Sequence, residues 1–200
     1  MREVELKAVV DDLSATRKLL EQAGAKLTFE GKLSDRRYDV ESRELAQRDE
    51  VLRVRRYQGM GSSKTYFDWK GPTETQDVYK IREELSTVVE DFEALDQILA
   101  RLGFAVTMEI DREIAQYELA GSTIRFESYP RMDVLVEVEG QPESIENAIE
   151  VLGVARGRFS SDRLTAFVGR FEQRTGVRAA ICDRELEGDY RFRPEGSLAE

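Results

Sequence analysis

The sequence predicts an α+β fold built on antiparallel strands, and three observations predict it. The opening stretch, residues 1–10, alternates: Val4, Leu6 and Ala8 fall on one side of a strand, with Glu3, Glu5 and Lys7 on the other. Roughly six segments, this one included, pair an apolar face with a face bearing Glu, Lys or Arg. Between them lie stretches with apolar residues at helical spacing, several of them closed by glycine.

The elements follow in order. Asp11 or Asp12 can cap a helix whose partial apolar stripe is Leu13, Leu19, Leu20 and Ala23, with Gly24 at its end. Residues 26–30 and 35–40 read as short extended pieces, and 41–50 as a polar loop. Residues 51–56 alternate again, Arg53 and Arg55 opposing Leu52 and Val54. Gly59, Gly61, Ser62 and Ser63 mark a hairpin turn. The strand after it sets Lys64, Tyr66, Asp68 and Lys70 against Thr65, Phe67 and Trp69, and Gly71-Pro72 ends it. Over 78–86, Lys80, Arg82 and Glu84 oppose Tyr79, Ile81 and Leu85. A second helix spans 89–102, with Phe92, Leu95, Ile98, Leu99 and Leu102 in its stripe and Gly103 closing it.

The second half repeats the theme. Residues 106–118 form one long strand or two short ones, with Arg112 sharing the parity of Ile110 and Ile114. Thr123, Arg125 and Glu127 lie opposite Ile124 and Phe126; after Pro130, Glu137 and Glu139 oppose Val136 and Val138. Helices are expected over 143–152, stopped by Gly153, and over 161–175, with Leu164, Phe167, Val168 and Phe171 inward. The tail from Val177 has mixed charge and few signals.

Composition removes whole classes of function. The chain of 200 residues suits one domain, or a domain with a tail. A net charge of −10 argues against a general nucleic-acid or anionic-membrane surface. One cysteine, Cys182, allows no intrachain disulfide framework. Absence of histidine excludes a Ser-His-Asp triad, a Cys-His pair and His-ligated zinc. Any metal would take oxygen ligands, favouring Mg²⁺, Mn²⁺ or Ca²⁺. With no signal segment or long apolar run read from the sequence, a soluble cytoplasmic protein is the expectation.

The repeated charged faces leave two architectures. An open sheet would expose them to water. A closed antiparallel barrel would turn them inward, and about eight strands enclose a lumen wide enough for one small ligand. Inside, cationic side chains repel one another unless an anion sits among them, and carboxylates do likewise unless a cation does. A polyphosphate with a bound divalent metal satisfies both: Arg and Lys take phosphate oxygens, and carboxylates take the metal.

At this point the motifs resemble a known family. Glu3-Val-Glu5-Leu-Lys7 resembles the ExExK signature of the CYTH superfamily, the triphosphate tunnel metalloenzymes. Later pieces resemble its class IV adenylyl cyclase-like branch: Leu52-Arg-Val-Arg55 its LRxR strand, Trp69-Lys-Gly-Pro72 its YKGP strand end, Arg82-Glu-Glu84 its R-x-E strand, and Val136-Glu-Val-Glu-Gly140 its terminal E-x-E. These pieces occur in order from Glu3 to about Phe171; the tail lies outside. The resemblance implies a closed eight-stranded antiparallel barrel, a triphosphate tunnel, flanked by helices. It implies a CYTH domain over 1–176 and a tail of unknown role over 177–200.

The resemblance also assigns residues. Glu3, Glu5, Glu137 and Glu139 would hold Mg²⁺ or Mn²⁺. Arg53, Arg55, Lys70, Arg82, Arg112 and Arg125 would bind the triphosphate, and Lys7, Glu84 and Glu127 would be catalytic. Three departures stand out: Glu127 replaces the usual Asp, Ile114 replaces a second basic residue, and Tyr129-Pro-Arg-Met-Asp133 replaces a glycine-bearing approach. The implied activity is that of an adenylyl cyclase, ATP giving cyclic AMP and pyrophosphate. A triphosphatase releasing orthophosphate from inorganic or organic triphosphate would use the same residues. A non-catalytic polyphosphate- or nucleotide-binding module is a reading of a different class. A nucleoside triphosphate or inorganic polyphosphate is the expected partner, with no nucleic acid and no membrane, and a homodimer is compatible with the resemblance. Other residues have plainer expectations: Phe67 and Trp69 in the core, Lys80 at the rim, Cys182 an ordinary thiol, and Tyr38 and Tyr66 either rim tyrosines or base-stacking platforms.

Overall fold

The structure is a computed structural model that describes residues 2–59, 61–76 and 78–192, except for the side chains of Arg2, Glu3 and Gln76. Among these residues the strands are β1 (Arg2–Val9), β2 (Lys26–Val40), β3 (Val51–Gly59), β4 (Ser62–Lys70), β5 (Glu74–Gln76), β6 (Tyr79–Val89), β7 (Phe104–Leu119), β8 (Ser122–Ser128) and β9 (Leu135–Gly140). They form one antiparallel sheet in the order β1-β9-β8-β7-β2-β3-β4-β6-β5, and pairing of β1 with β6 closes eight of them into a barrel, β5 lying outside on β6. The closed alternative is therefore the one the chain adopts.

Two segments differ from their expected outlines. The extended pieces at 26–30 and 35–40 are one strand, because residues 32–38 pair with β3 on one side and β7 on the other. Gly31 lies in its middle and hides the continuity. Its φ is +150°, and a Cβ there would fall 2.3 Å from the Gln58 carbonyl oxygen, so glycine lets β2 pass close against β3. The 41–50 loop contains a short helix, α2 (Glu44–Gln47), whose Leu45 and Ala46 amides donate to the buried Asp39 carboxylate at 3.1 and 3.0 Å.

Helices cover the outer wall. Asp12 caps α1 (Leu13–Gln22), accepting the Ala15 amide at 2.9 Å, and Asp91 caps α3 (Phe92–Arg101) in the same way. In α4 (Pro142–Leu152), Ile145, Ala148, Ile149 and Leu152 recur at i, i+3, i+4 and i+7. With Leu20 of α1 they bury the outward faces of β1, β8 and β9: Leu6, Ala8, Ile124, Phe126, Val136 and Val138. A smaller core puts Leu99 of α3 against Tyr38 and Val54, with Phe67 packed on it. Tyr38 is thus held in the outer wall, its hydroxyl donating to Asp96 at 2.9 Å, while it also borders the charged cavity.

A third core involves one end of the barrel. Phe167 and Val168 of α5 (Leu164–Thr175) pack with Ile110, Tyr129, Leu135, Ala179 and Ile181. Residues 179–185 are tightly integrated here. Ala180 and Arg131 exchange backbone hydrogen bonds of 2.8 and 3.0 Å, and the Ile181 carbonyl accepts the Asp111 amide at 2.8 Å. The Ile181 amide donates to Glu185 of α6 (Asp183–Leu186) at 2.7 Å. Ala179, Ala180 and Ile181 are fully buried. Among the described residues no helix is long and apolar enough to cross a membrane.

Burial pushes the Cys182 thiol up to about 11, and the side chain is 2% exposed. Maleimide labelling at pH 8 is therefore expected to be at least about tenfold slower in native protein than in denaturant; rapid native labelling would contradict the packing of this segment.

Candidate active site

Strand alternation turns one charged face of each wall inward. Glu5 and Lys7 come from β1, Arg53 from β3, Lys70 from β4, Lys80 and Arg82 from β6, Arg112 from β7, Arg125 and Glu127 from β8, and Glu137 from β9; all line a cavity of about 620 Å³. Arg55, Glu84 and Glu139 line a second cavity of about 1090 Å³, and Arg125 borders both.

The carboxylates gather on adjacent strands. Glu5, Glu137 and Glu139 can each offer an oxygen with all three atoms within 4.8 Å of one another. Lys7 sits between Glu137, which it contacts directly, and Glu5, at 3.4 Å. Lys80 pairs with Glu5. The Arg125 guanidinium donates to Glu137 at 2.8 Å and lies 3.5 Å from Glu139. Burial would raise the Glu5 carboxyl, but Lys7 and then Lys80 outweigh burial and the nearby Glu137, bringing it down to about 2. Burial likewise works against Glu137, yet Lys7 and Arg125 hold it well below the carboxylate range. Lys7 in turn is held well above the usual lysine value, its burial overcome by Glu137 and Glu5. Both carboxylates and the ammonium are charged at neutral pH. An all-oxygen donor set of this kind suits Mg²⁺ or Mn²⁺, so the residues fit the implied metal.

Facing this trio is a clamp of cations. Arg53 reaches Asp68 and Glu84, each at 3.2 Å; Arg55 also pairs with Asp68 and lies 3.0 Å from Glu84, and Lys70 lies 3.2 Å from Glu84. Arg112 donates to Glu127 at 2.8 Å, and the Tyr129 hydroxyl donates to the other Glu127 oxygen at 2.7 Å. Glu84 and Glu127 thereby orient arginines. Asp35, fully buried, sits 3.5 Å from Arg53 and 4.0 Å from Arg37. Among the described residues, both Asp35 oxygens, Arg37 Nε and Arg112 Nη1 are buried without a hydrogen-bond partner. Burial, with repulsion from Arg53, Arg112 and Arg82, lowers Arg37 despite the attraction of Asp35. The cations at this end have less anionic cover than they can use.

Of the residues singled out in sequence, the structure brings Glu5, Lys7, Arg53, Arg55, Lys70, Glu84, Arg112, Arg125, Glu127, Glu137 and Glu139 around the lumen. Glu3 belongs to β1, but its side chain lies outside the described residues. Arg82 lines the cavity while donating to the backbone carbonyls of Gly71, at 2.6 Å, and Asp49, so it also braces the strand end and the loop before β3. Lys80 is not a rim charge: its side chain is 13% exposed and bonded to Glu5. Its parity with Arg82 and Glu84 was the available signal. Asp68 likewise shares the face of Lys70. Arg37 was masked by its neighbour, since Arg36-Arg37 presents a cation to either face; Arg36 turns outward to Asp111 at 3.1 Å. Ile114, on the Arg112 face of β7, is buried and gives that wall an apolar position.

The pattern that defines the CYTH domain matches residues 1–151. The chain belongs to the CYTH family. Over 152 residues it is 26% identical to a protein of Methanocaldococcus jannaschii named "putative adenylate cyclase", covering 76% of this chain and 84% of that one. A Vibrio parahaemolyticus structure, also named a "putative adenylate cyclase", superposes with a TM-score of 0.71 at 18% identity, covering 82% of this chain and 96% of that one. A Hippeastrum protein, named a "putative adenylyl cyclase" and described as having a dominant triphosphatase activity, superposes at 0.58 with 15% identity, covering 87% and 96%. At these identities the superpositions show a shared CYTH fold.

Asp35→Asn would strip Arg37 and Arg53 of a shared counter-charge. A loss of about 3–5 kcal/mol is expected in urea unfolding, and tripolyphosphate should restore more stability to the variant than to the wild type. The Asp35, Asp68 and Glu84 carboxyls are all held below their ordinary values, burial being outweighed by neighbouring Arg and Lys. Groups depressed in the folded state stabilise it above their unfolded value, about 4, and lose that contribution as pH falls. Unfolding monitored against pH should therefore show stability flat near neutrality and declining from about pH 4 downward.

Proposed function

We propose that this CYTH protein is a divalent-metal-dependent triphosphate-processing enzyme of the class IV adenylyl cyclase-like type, acting on ATP to give cyclic AMP and pyrophosphate. The observation that carries the reading is the joining, in one lumen, of the Glu5-Glu137-Glu139 trio to the clamp of Arg53, Arg55, Lys70, Arg112 and Arg125. Phosphoryl chemistry asks a protein mainly for positioning and charge neutralisation. The trio, with Glu3 on the same strand, would hold Mg²⁺ or Mn²⁺. When bound, the metal would neutralise phosphate oxygens and polarise the phosphorus. The arginine forks and Lys70 take the remaining oxygens and align the chain of phosphates. Glu84 and Glu127 fix the guanidinium planes. Lys7, kept protonated by its carboxylates, supplies positive charge beside the trio. In cyclisation the ribose 3′-hydroxyl attacks the α-phosphorus and releases its proton to solvent, while the bond from the α-phosphorus to the α,β-bridging oxygen breaks and pyrophosphate leaves; the clamp that holds the β- and γ-phosphates then holds the leaving group.

The described triphosphatase activity of the Hippeastrum relative favours a second reading, hydrolysis of an inorganic or organic triphosphate by the same residues. A binding module without turnover would need the apolar wall at Ile114 to withhold a contact essential for catalysis. Product analysis separates the three. With ATP or tripolyphosphate and Mg²⁺ or Mn²⁺, cyclic AMP with pyrophosphate from ATP identifies a cyclase, and orthophosphate without cyclic AMP, left beside ADP from ATP or pyrophosphate from tripolyphosphate, a triphosphatase. In either case Glu137→Gln is expected to lower turnover by at least about 100-fold. Metal-dependent binding with no product from either substrate leaves the binding module. A Glu137→Gln variant as active as the wild type would overturn the site.

A further inference from the structure

The two cavities that meet at Arg125 differ in chemistry. The smaller is walled by charge, with Arg37, Arg53, Arg82 and Arg112 among its lining residues. The larger carries three aromatic rings, Phe29, Tyr57 and Tyr66, on the adjacent strands β2, β3 and β4. Each stands on the strand face that carries lumen charges: Phe29 with Asp35, Tyr57 with Arg55, Tyr66 with Asp68. Tyr57 meets Phe29 and Tyr66 edge to face, with centroids 5.4 and 5.7 Å apart, and the Arg55 guanidinium lies 5.9 Å from the Tyr57 centroid. All three rings are half-buried. The outer-wall aromatics Tyr38 and Phe67 pack in the core that includes Leu99 of α3. Among the described residues the lumen trio belongs to none of the three apolar cores, and it shares its cavity with Arg55, Glu84, Arg125 and Glu139 of the triphosphate site.

We infer that the cavity bounded by Phe29, Tyr57 and Tyr66 receives the planar aromatic part of an organic triphosphate, a nucleobase, whose phosphates run past Arg55 and Arg125 toward the charged cavity. The inference rests on the triphosphate reading of the lumen and deepens it, since inorganic tripolyphosphate has nothing to place against these rings. Base–aromatic stacking contributes enough per ring to discriminate such ligands by about tenfold. Thr123 and Ser62, which line the same cavity, offer hydroxyls to a base edge or sugar.

The test compares two probes on the intact chain by titration calorimetry with Mg²⁺: an ATP analogue with an α,β-methylene bridge, and inorganic tripolyphosphate. Tyr57→Leu and Tyr66→Leu keep apolar bulk while removing the ring. Each is expected to weaken the ATP analogue about tenfold and to leave tripolyphosphate affinity within about twofold, that second value also reporting an intact fold. Equal loss for both probes, or no loss for the ATP analogue, would overturn the aromatic subsite while leaving the triphosphate site standing. Wild-type protein that binds neither probe, with Glu137→Gln no different, would overturn the triphosphate reading itself, and this inference with it.

Discussion

Everything in this lumen depends on the pairing of β1 with β6. In that register Val4 meets Ile81 and Glu5 meets Lys80, and the far edge of β1 pairs with β9, setting Lys7 opposite Glu137. Without that seam the same residues would form exposed pairs on an open sheet, each contributing about 0–1 kcal/mol. Closing it removes the charges from bulk water, where desolvation costs several kcal/mol per ion unless partners compensate. Compensation is visible throughout: Lys7 with Glu137, Lys80 with Glu5, Arg112 with Glu127, and the Arg53-Arg55 fork on Asp68 and Glu84. The outer apolar cores make closure affordable, since the strands that carry Glu5 and Glu137 inward carry Leu6, Val136 and Val138 outward beneath α1 and α4.

The sequence made legible whatever follows from alternation on a single strand. Glu5, Lys7, Arg53, Arg55, Arg125 and Glu137 each sit opposite an apolar neighbour, so the face was plain and only closure was needed to bring them together. Lys80 was on the same face as Arg82 and Glu84, yet its location depended on how far β1 extends along β6, which a single strand does not encode. Arg37 and Asp35 were obscured for a different reason. Charge runs through Asp35-Arg36-Arg37, and Gly31 interrupts the pattern just before it, so the face could not be chosen without the pairing of β2 to both β3 and β7. The stretch just beyond 176 lacked periodicity because it buries Ala179, Ala180 and Ile181 as an irregular segment held by backbone bonds to Arg131 and Asp111.

The internal pairs also set a condition on any ligand. A divalent cation that takes Glu5 and Glu137 must displace Lys7, Lys80 and Arg125 from them, and those cations then need anions. A triphosphate that takes Arg53, Arg55 and Arg112 must displace Asp68, Glu84 and Glu127, and those carboxylates then need a cation. Either ligand alone leaves buried charges of one sign uncovered, which is costly at low effective dielectric. On the proposed reading, the two together would offer displaced charges of both signs new partners, and each would then bind more tightly in the presence of the other, by the same factor. The asymmetry lies at the Arg37 end. There Asp35 is the near counter-charge shared by Arg37 and Arg53, and its oxygens lack hydrogen-bond partners among the described residues. An anion entering at that end would meet Arg37, whose Nε is 4.0 Å from Asp35 and has no hydrogen-bond partner among the described residues. On the proposed triphosphate reading, the charge imbalance of the lumen would favour anchoring the phosphate chain at the Arg37 end before the carboxylate pairs near Glu137 are opened.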